Sequence, residues 1–192
     1  MRKIERGAKF SKKLLGLILV GLMLCITIGI VYFENFGMES EGTIPSGSLR
    51  PAPRFSLADA QGVRHALEDL KGNVVVLHFW ASWCHPCLGE IPEWVNFSAT
   101  FQDRPVKFVA ISLDQNWEDA LKILPKQATP SHQLLSLLDT SGKIAEEYGT
   151  YQFPETYLLN QDLKVLTKWV GPQDWSQPQF KMLIDEQLKA HK

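Results

Sequence analysis

The chain has 192 residues, of which 45% are hydrophobic, and a formal net charge of −1 at pH 7. This length allows one ordinary domain with a short appendage. The nearly balanced 20 basic and 21 acidic residues leave no basic surplus of the kind that marks nucleic-acid-binding proteins, so nucleic acid is excluded as a partner.

The first predicted element is a membrane-spanning helix over residues 14–33. This stretch carries no charge, and a helix of that length, rising about 1.5 Å per residue, extends about 30 Å, enough to cross a bilayer. Residues 1–13 contain six basic residues and one acidic residue, Glu5, whereas the residues that follow the apolar run include the acids Glu34, Glu39 and Glu41. This bias keeps the N-terminus in the cytoplasm and exports the remainder. A cleaved signal peptide is the alternative, disfavoured because the apolar run does not end in a small-x-small site.

Residues 34–53 are rich in Gly, Ser, Pro and Glu, which predicts a linker, and residues 54–192 are predicted to form the domain. The domain begins with a pattern typical of a β-hairpin, over Phe55–Leu57 and Val63–Leu67 with a turn between them. A short helical turn is predicted over Glu68–Leu70.

The most informative stretch is a strand pattern over Val74–Trp80 that runs into Cys84-His85-Pro86-Cys87. The continuous apolar run predicts a parallel strand covered on both faces, and the residues after the cysteines predict a helix. Cys84 would then lie at the helix N-cap, where unpaired N–H groups and the helix dipole favour a thiolate, so we expect Cys84 to be the nucleophile. Cys87 is one turn further on the same face, placed to close a disulfide with Cys84. Pro86 suits a helix start because it has no N–H to lose there.

The segment from Trp80 to Pro92, with its Trp-Cys-His-Pro-Cys core and a following glutamate, resembles the active-site signature of TlpA/ResA-like thiol–disulfide oxidoreductases. These are membrane-anchored members of the thioredoxin superfamily. The resemblance extends over roughly residues 50–190, because Phe153–Leu159 is similar to the cis-proline strand of that family. It implies an α/β, thioredoxin-like fold with an N-terminal β-hairpin and a central insertion, preceded by one transmembrane helix.

The remaining elements are predicted in the order of that fold. Val106–Leu113 is a second buried strand, which completes a right-handed βαβ unit with the helix from Cys84 to about Phe101. The central insertion would comprise a helix and a short strand. The predicted segments after the unit are Trp117–Leu124 (helix), Gln133–Leu138 (strand), Ile144–Tyr148 (helix), Thr156–Leu159 and Lys164–Val170 (antiparallel strands), and Ser176–Lys189 (helix).

Two titratable residues lie close to the cysteines in sequence, Glu90 on the predicted helix and His78 on the predicted strand before it. Glu90 lies one helical turn after Cys87 and matches a glutamate that the family keeps beneath its active site, so the resemblance implies proton exchange with the cysteine pair. Spacing alone is equally compatible with a solvated helix carboxylate. His78 stands on the central strand where thioredoxins have an aspartate. We interpret it as a hydrogen-bonded core imidazole, although titration together with the cysteines stays open.

Four further residues are expected to modulate the site or to contact substrate. His85 between the cysteines would stabilise the Cys84 thiolate and make the couple more oxidising, or would face solvent without effect. Phe153 and Pro154 resemble the family's cis-proline segment, which packs against the disulfide and presents a backbone edge to substrate. Trp83 is expected to be exposed, as part of an apolar landing surface.

These features favour an extracytoplasmic disulfide reductase in which Cys84 attacks and Cys87 resolves, without metal or cofactor. The resemblance implies protein disulfides as substrates, apocytochrome c among them, and an upstream membrane thiol reductase as electron donor. The alternatives are a disulfide oxidase or isomerase on the same fold, a peroxiredoxin-like peroxidase and a binding module without turnover. A zinc site would need two more ligands, and the remaining cysteine, Cys25, lies in the apolar run.

Overall fold

The computed structural model describes residues 19, 21–25, 27, 49–124 and 133–190. The described residues before position 28 are helical, and no helix within the described ranges is both long and apolar enough to span a bilayer. The predicted helix over 14–33 lies mostly outside the described residues, as does most of the predicted linker.

The described part of the domain is built on a mixed seven-stranded sheet with the spatial order β2-β1-β5-β4-β3-β6-β7. The parallel pairs β3/β4 and β4/β5 form its centre, while β1, β6 and β7 join antiparallel. The predicted βαβ unit is therefore confirmed. The strands are β1 (Ser56–Ala58), β2 (Arg64–Ala66), β3 (Val74–Trp80), β4 (Val106–Ser112), β5 (Leu134–Leu138), β6 (Glu155–Leu159) and β7 (Val165–Val170).

Four helices and one short 3₁₀ helix accompany the sheet in the described domain. The 3₁₀ helix covers Leu67–Leu70, and the α-helices are α1 (His85–Ala99), α2 (Trp117–Ile123), α3 (Lys143–Tyr148) and α4 (Pro178–Lys189). The predicted end of α1 near Phe101 is wrong by two residues. After Ala99 the chain continues in turns, with Phe101 N–H donating to the Ser98 carbonyl at 3.1 Å, because i to i+3 bonds take up the last carbonyls of the helix.

Strand β3 lies in the middle of the core, and all seven of its side chains are buried. Side chains alternate between the two faces of a strand. On one face of β3, Val76 and Trp80 pack in a hydrophobic cluster with α1 and α4. On the other face, Leu77 and Phe79 pack in a second hydrophobic cluster with the 3₁₀ helix and α3. Hydrophobic cover on both faces holds the carboxyl end of β3, and hence the turn that carries the cysteines, in one position.

The predicted hairpin and insertion meet at one edge of the sheet. Strands β1 and β2 pair antiparallel over Ser56–Ala58 and Arg64–Ala66, and Ala58 pairs with Leu138 of β5. Composition placed residues 50–52 in the linker, but they lie beside the turn between β6 and β7, away from the hairpin. There the Ala52 N–H donates to the Leu163 carbonyl at 2.9 Å. The ordered domain thus includes the last residues before position 54.

Candidate active site

Cys84 occupies the N-cap of α1, directly after the turn that follows β3. Its backbone is extended, at φ −84° and ψ 99°, and its Sγ accepts a hydrogen bond from the Cys87 N–H at 3.3 Å. The Cys87 N–H also donates to the Cys84 carbonyl at 3.0 Å, so the first turn of α1 presents a shared amide and the positive end of the helix dipole to this sulfur. Both effects favour the thiolate over the thiol, which is the chemistry of an attacking cysteine.

Cys84 and Cys87 are joined by a disulfide, with their Cα atoms 5.3 Å apart. Cys84 retains 6% exposure, whereas Cys87 is completely buried. Only the Cys84 sulfur therefore offers a partner disulfide a line of approach. This asymmetry agrees with the expected division into an attacking and a resolving thiol.

His85 and Pro86 occupy the first turn of α1, and both are exposed. Pro86 lies where an N–H would have no partner within the helix, so it costs no hydrogen bond. The exposed imidazole of His85 follows Cys84 directly in sequence. Its predicted effect on the thiolate remains a prediction.

An aromatic pair flanks the disulfide. Trp83 is 63% exposed, and its ring meets that of Phe153 edge to face, with centroids 5.8 Å apart. Phe153 packs against the hydrophobic cluster that contains both cysteines, and the Phe153–Pro154 peptide bond is cis. The predicted landing residues are thus brought together beside the disulfide.

Glu90 is buried on α1, so the interpretation as a solvated helix carboxylate is wrong. Its Oε1 accepts two hydrogen bonds, from the Trp175 indole Nε1–H at 2.5 Å and from the Gln173 backbone N–H at 3.1 Å. Burial raises the pKa of this carboxyl from its ordinary value of 4.5 to about 7, although the two donors favour the ionised form. A carboxyl of this pKa, one turn beyond Cys87, is suited to exchange protons near neutral pH. Trp175, which lies 85 positions further along the chain, is thus both a buried aromatic residue and a hydrogen-bond donor to Glu90.

His78 is completely buried in β3. One ring nitrogen, Nδ1, lies 2.8 Å from the Thr156 hydroxyl, and the ring stacks on Trp94 at a centroid distance of 5.0 Å. Burial lowers its pKa to about 3, so the imidazole is neutral at physiological pH. These contacts support the interpretation as a core imidazole.

Sequence reasoning missed the carboxylate that holds the active-site turn. Asp114 is buried after β4 and accepts hydrogen bonds from the backbone N–H of Ser82, at 3.1 Å to Oδ2, and from its hydroxyl, at 2.7 Å to Oδ1. Ser112 also donates to Asp114, at 2.7 Å. Because β3 and β4 are parallel, their carboxyl ends meet at one edge of the sheet, and that rule would have pointed to Asp114.

A second missed group is the buried ion pair after the cis-proline. Glu155 is fully buried, and its Oε2 lies 2.8 Å from the Lys168 ammonium of β7. The same oxygen accepts from the Tyr157 hydroxyl at 3.1 Å, while Lys168 also donates to the Gly149 carbonyl at 3.1 Å. This network ties the segment before Pro154 to the sheet. Nothing in the local sequence pairs Glu155 with a lysine 13 positions later.

Within the described ranges, no cluster of three or more His, Cys, Asp or Glu side chains has the arrangement of a metal site. The reactive group that the geometry provides is the cysteine pair, which needs only a second dithiol or disulfide as reaction partner.

A cysteine pair at the start of the helix that follows the central strand, next to a cis-proline segment, defines a thioredoxin-like thiol:disulfide oxidoreductase. Comparison with known proteins agrees with this class. Residues 49–168 match the AhpC/TSA family, and the chain belongs to that family.

Curated relatives support the same activity. The chain is 30% identical over 163 residues to the thiol-disulfide oxidoreductase ResA of Bacillus cereus, covering 85% of this chain and 91% of the relative. It is 32% identical over 154 residues to ResA of Bacillus subtilis, covering 79% and 82%. A solved structure described as a thiol:disulfide interchange protein DsbE, from Chlorobium tepidum, superposes with a TM-score of 0.62 at 31% identity and covers 72% of this chain and 96% of its own. The chain is therefore a thiol:disulfide oxidoreductase of the ResA/DsbE type with Cys84 and Cys87 as its cysteine pair.

Proposed function

We propose that this protein is a membrane-anchored reductase that reduces disulfides of partner proteins outside the cytoplasm. The observation that carries the proposal is the position of Cys84: the slightly exposed member of the pair, at the N-cap of α1, with the Cys87 N–H directed at its sulfur. This arrangement stabilises a thiolate and thereby provides a nucleophile.

The proposed reaction begins with the reduced pair. The Cys84 thiolate attacks one sulfur of the partner disulfide, forming a mixed disulfide and releasing the partner's other sulfur as a thiolate. Cys87 then loses its proton and attacks the Cys84 sulfur, which closes the Cys84–Cys87 disulfide and releases the second partner thiolate. Two electrons pass to the partner, both of its sulfurs end as thiols once protonated, and an upstream membrane thiol reductase restores the dithiol.

Glu90 is proposed as the group that exchanges protons with the pair. With its pKa raised to about 7 by burial, the carboxyl is present in both protonation states at neutral pH. The ionised form accepts the proton of Cys87 as that thiol becomes a nucleophile. The protonated form returns a proton when the disulfide is reduced again.

Substrate is proposed to dock on the aromatic pair and the adjoining proline segment. Trp83 is 63% exposed, a large apolar surface in contact with Phe153. A partner segment lying across this surface would bring its disulfide to Cys84, with Pro154 presenting the backbone edge next to it. His85 at the rim would adjust the stability of the Cys84 thiolate.

The proposed physiological partner is apocytochrome c. Its CxxCH thiols must be reduced for haem attachment in a compartment that oxidises thiols, so a dedicated reductant is needed there. The resemblance to ResA-type proteins supports this task, which is the commonest one in the family. The apolar, charge-free sequence over 14–33 and the basic residues before it support an anchor in the bacterial cytoplasmic membrane with an exported domain.

Trapping of mixed disulfides tests the proposal. In a Cys25→Ala background, which removes the third cysteine, Cys87→Ala should accumulate covalent complexes because the attacking thiol remains and the resolving thiol is lost. Cys84→Ala should trap little, since Cys87 is completely buried. Full-length variants at native expression level are acid-quenched, alkylated and separated under non-reducing conditions.

The trapped partners and the reduction potential together decide between reductase and oxidase. Apocytochromes or their assembly proteins on Cys87→Ala, with a reduction potential of about −270 mV as in thioredoxin, would support the reductase. A broad set of secreted proteins and a reduction potential of about −120 mV would support the oxidase instead. Equal trapping by both variants, or none by either, would overturn the assignment of the two thiols.

A further inference from the structure

The Glu90 carboxyl is held through only one of its two oxygens. Oε1 accepts both the Trp175 indole N–H and the Gln173 backbone N–H, which come from the segment between β7 and α4. Oε2 is buried and has no hydrogen-bond partner among the described residues. The two oxygens of this carboxyl are therefore chemically different.

Trp175 is fixed in place by an aromatic cluster. It is buried, and its ring lies 4.5 Å from that of Phe180, 5.5 Å from that of Phe97 and 5.9 Å from that of Trp169, measured between centroids. Tight packing on several sides leaves the indole little freedom to turn its N–H away from Glu90. The direction of the donor is thus a property of the packed core.

We infer that Trp175 is a positioning residue for proton exchange: its indole N–H, with the Gln173 N–H, reserves Oε1 as a permanent acceptor, so the exchangeable proton of Glu90 resides on Oε2. The inference deepens the proposed function, because it assumes that Glu90 exchanges protons with the cysteine pair. Trp175 acts through Glu90 and does not contact the sulfurs in this role.

The physical argument concerns where negative charge is best stabilised. An oxygen that accepts two N–H donors keeps its charge at lower cost than one without donors, and protonating it would weaken both hydrogen bonds. Oε2 therefore gains the proton when Glu90 is neutral and loses it when the carboxylate forms. In each direction one proton passes between Oε2 and a cysteine sulfur, while Oε1 keeps its two donors.

The charged groups around Glu90 do not supply the stabilisation that the two N–H donors give to the negative charge on Oε1. On α1, the Glu93 carboxylate raises the pKa of Glu90, as does burial. On β3, His78 is neutral because burial lowers its pKa to about 3. Next to Trp175 in the chain and on α4, Asp174 and Lys181 are exposed to solvent, where water and salt screen their charges.

Trp175→Phe tests the inference because phenylalanine keeps an aromatic ring in the cluster and removes the N–H. The pKa of Glu90 should rise by about one pH unit, since one hydrogen bond to the charged form is lost. Carbon-13 NMR of the Glu90 carboxyl in the full-length protein in detergent micelles gives this pKa directly. Trp169→Phe is the matched control: it changes the same cluster without removing a donor to Glu90, so it should leave the titration within about 0.3 pH unit of the parent.

The thiol chemistry supplies the second readout. The pH dependence of alkylation of the reduced pair should show the inflection of Glu90 displaced to higher pH in Trp175→Phe, and absent in Glu90→Gln. A Glu90 pKa that rises by less than half a pH unit in Trp175→Phe would overturn the inference. An alkylation profile unchanged by Glu90→Gln would overturn the proton-exchange role itself, whatever the NMR titration shows.

A measurement on the unmodified protein keeps the inference testable if the variant does not fold. The Trp175 indole N–H resonance should move with pH and share its inflection with the Glu90 carboxyl, because the donor senses the charge on Oε1. The indole of Trp169 should not follow that inflection. An indole resonance of Trp175 that stays constant while Glu90 titrates would refute the link.

Discussion

Replacing Glu90 by glutamine should change how the stability of the domain depends on pH. Glu90 has a pKa of about 7 in the folded protein and an ordinary value of 4.5. Between these values the folded state holds a proton that the unfolded state has lost, so the free energy of unfolding falls as pH rises. The difference of about 2.5 pH units corresponds to roughly 3 kcal/mol, at about 1.4 kcal/mol for each unit.

Glutamine keeps a carbonyl oxygen for the Trp175 and Gln173 donors but does not ionise. Its amide N–H₂ group, where Oε2 was, adds a constant cost that does not vary with pH. The informative quantity is therefore the difference in free energy of unfolding between Glu90→Gln and the parent, followed as the pH changes. We expect this difference to move in favour of the variant by roughly 3 kcal/mol between pH 4.5 and pH 8.5, most of it below pH 8.

The assay is urea unfolding of the oxidised full-length protein, followed by tryptophan fluorescence at several pH values. Keeping the disulfide intact avoids titration of the thiols, and all other ionisable groups cancel in the comparison. Glu186→Gln is the control, because Glu186 is an exposed carboxylate on a different helix, α4. A difference between Glu90→Gln and parent that stays flat within about 1 kcal/mol from pH 4.5 to 8.5 would refute the argument from burial.

Two further predictions concern the active-site turn and the N-terminus. Asp114→Ala should lower the free energy of unfolding by about 3 kcal/mol or more, because the Ser82 amide and hydroxyl lose their buried acceptor. Urea unfolding measures this change. A loss below about 1 kcal/mol would show that the turn does not depend on Asp114. Deleting residues 1–36 should leave a folded, redox-active domain, since among the described residues the hydrogen bonds that attach the start of the domain to its sheet come from residues 50 and 52. Circular dichroism and the rate of disulfide reduction check the truncation, and an insoluble, inactive product would contradict it.

The local elements around the cysteines could be predicted from sequence because residues adjacent in the chain determine them. The run from Val74 to Trp80 has the composition of a strand buried on both faces, and β3 has those bounds. Cys84 was expected at the helix N-cap because the strand pattern stops shortly before it and a proline follows, and it is the N-cap. The end of α1 was less certain, since the pattern does not distinguish the last helical turn from the turns after Ala99.

The contacts between distant segments were not predicted from the sequence, because they depend on strand order and packing. The partner of Glu90 is Trp175, 85 positions away, and that of Ser82 is Asp114, 32 positions away. No local pattern encodes either pair. Each exists because the sheet brings the segment after β4 or β7 to the side of the active-site turn or of α1.

The sequence by itself determined the chemistry of this protein: a thiol pair at a strand-to-helix junction, whose reactivity follows from the unpaired amides of the first helical turn. The tertiary structure alone decided how that chemistry is tuned. Burial of the Glu90 carboxyl raises its pKa to about 7, and the indole of Trp175 determines which oxygen stays an acceptor. The physical reason is that desolvation and hydrogen-bond direction depend on every group packed around a side chain, whereas the N-cap depends only on its neighbours in the chain.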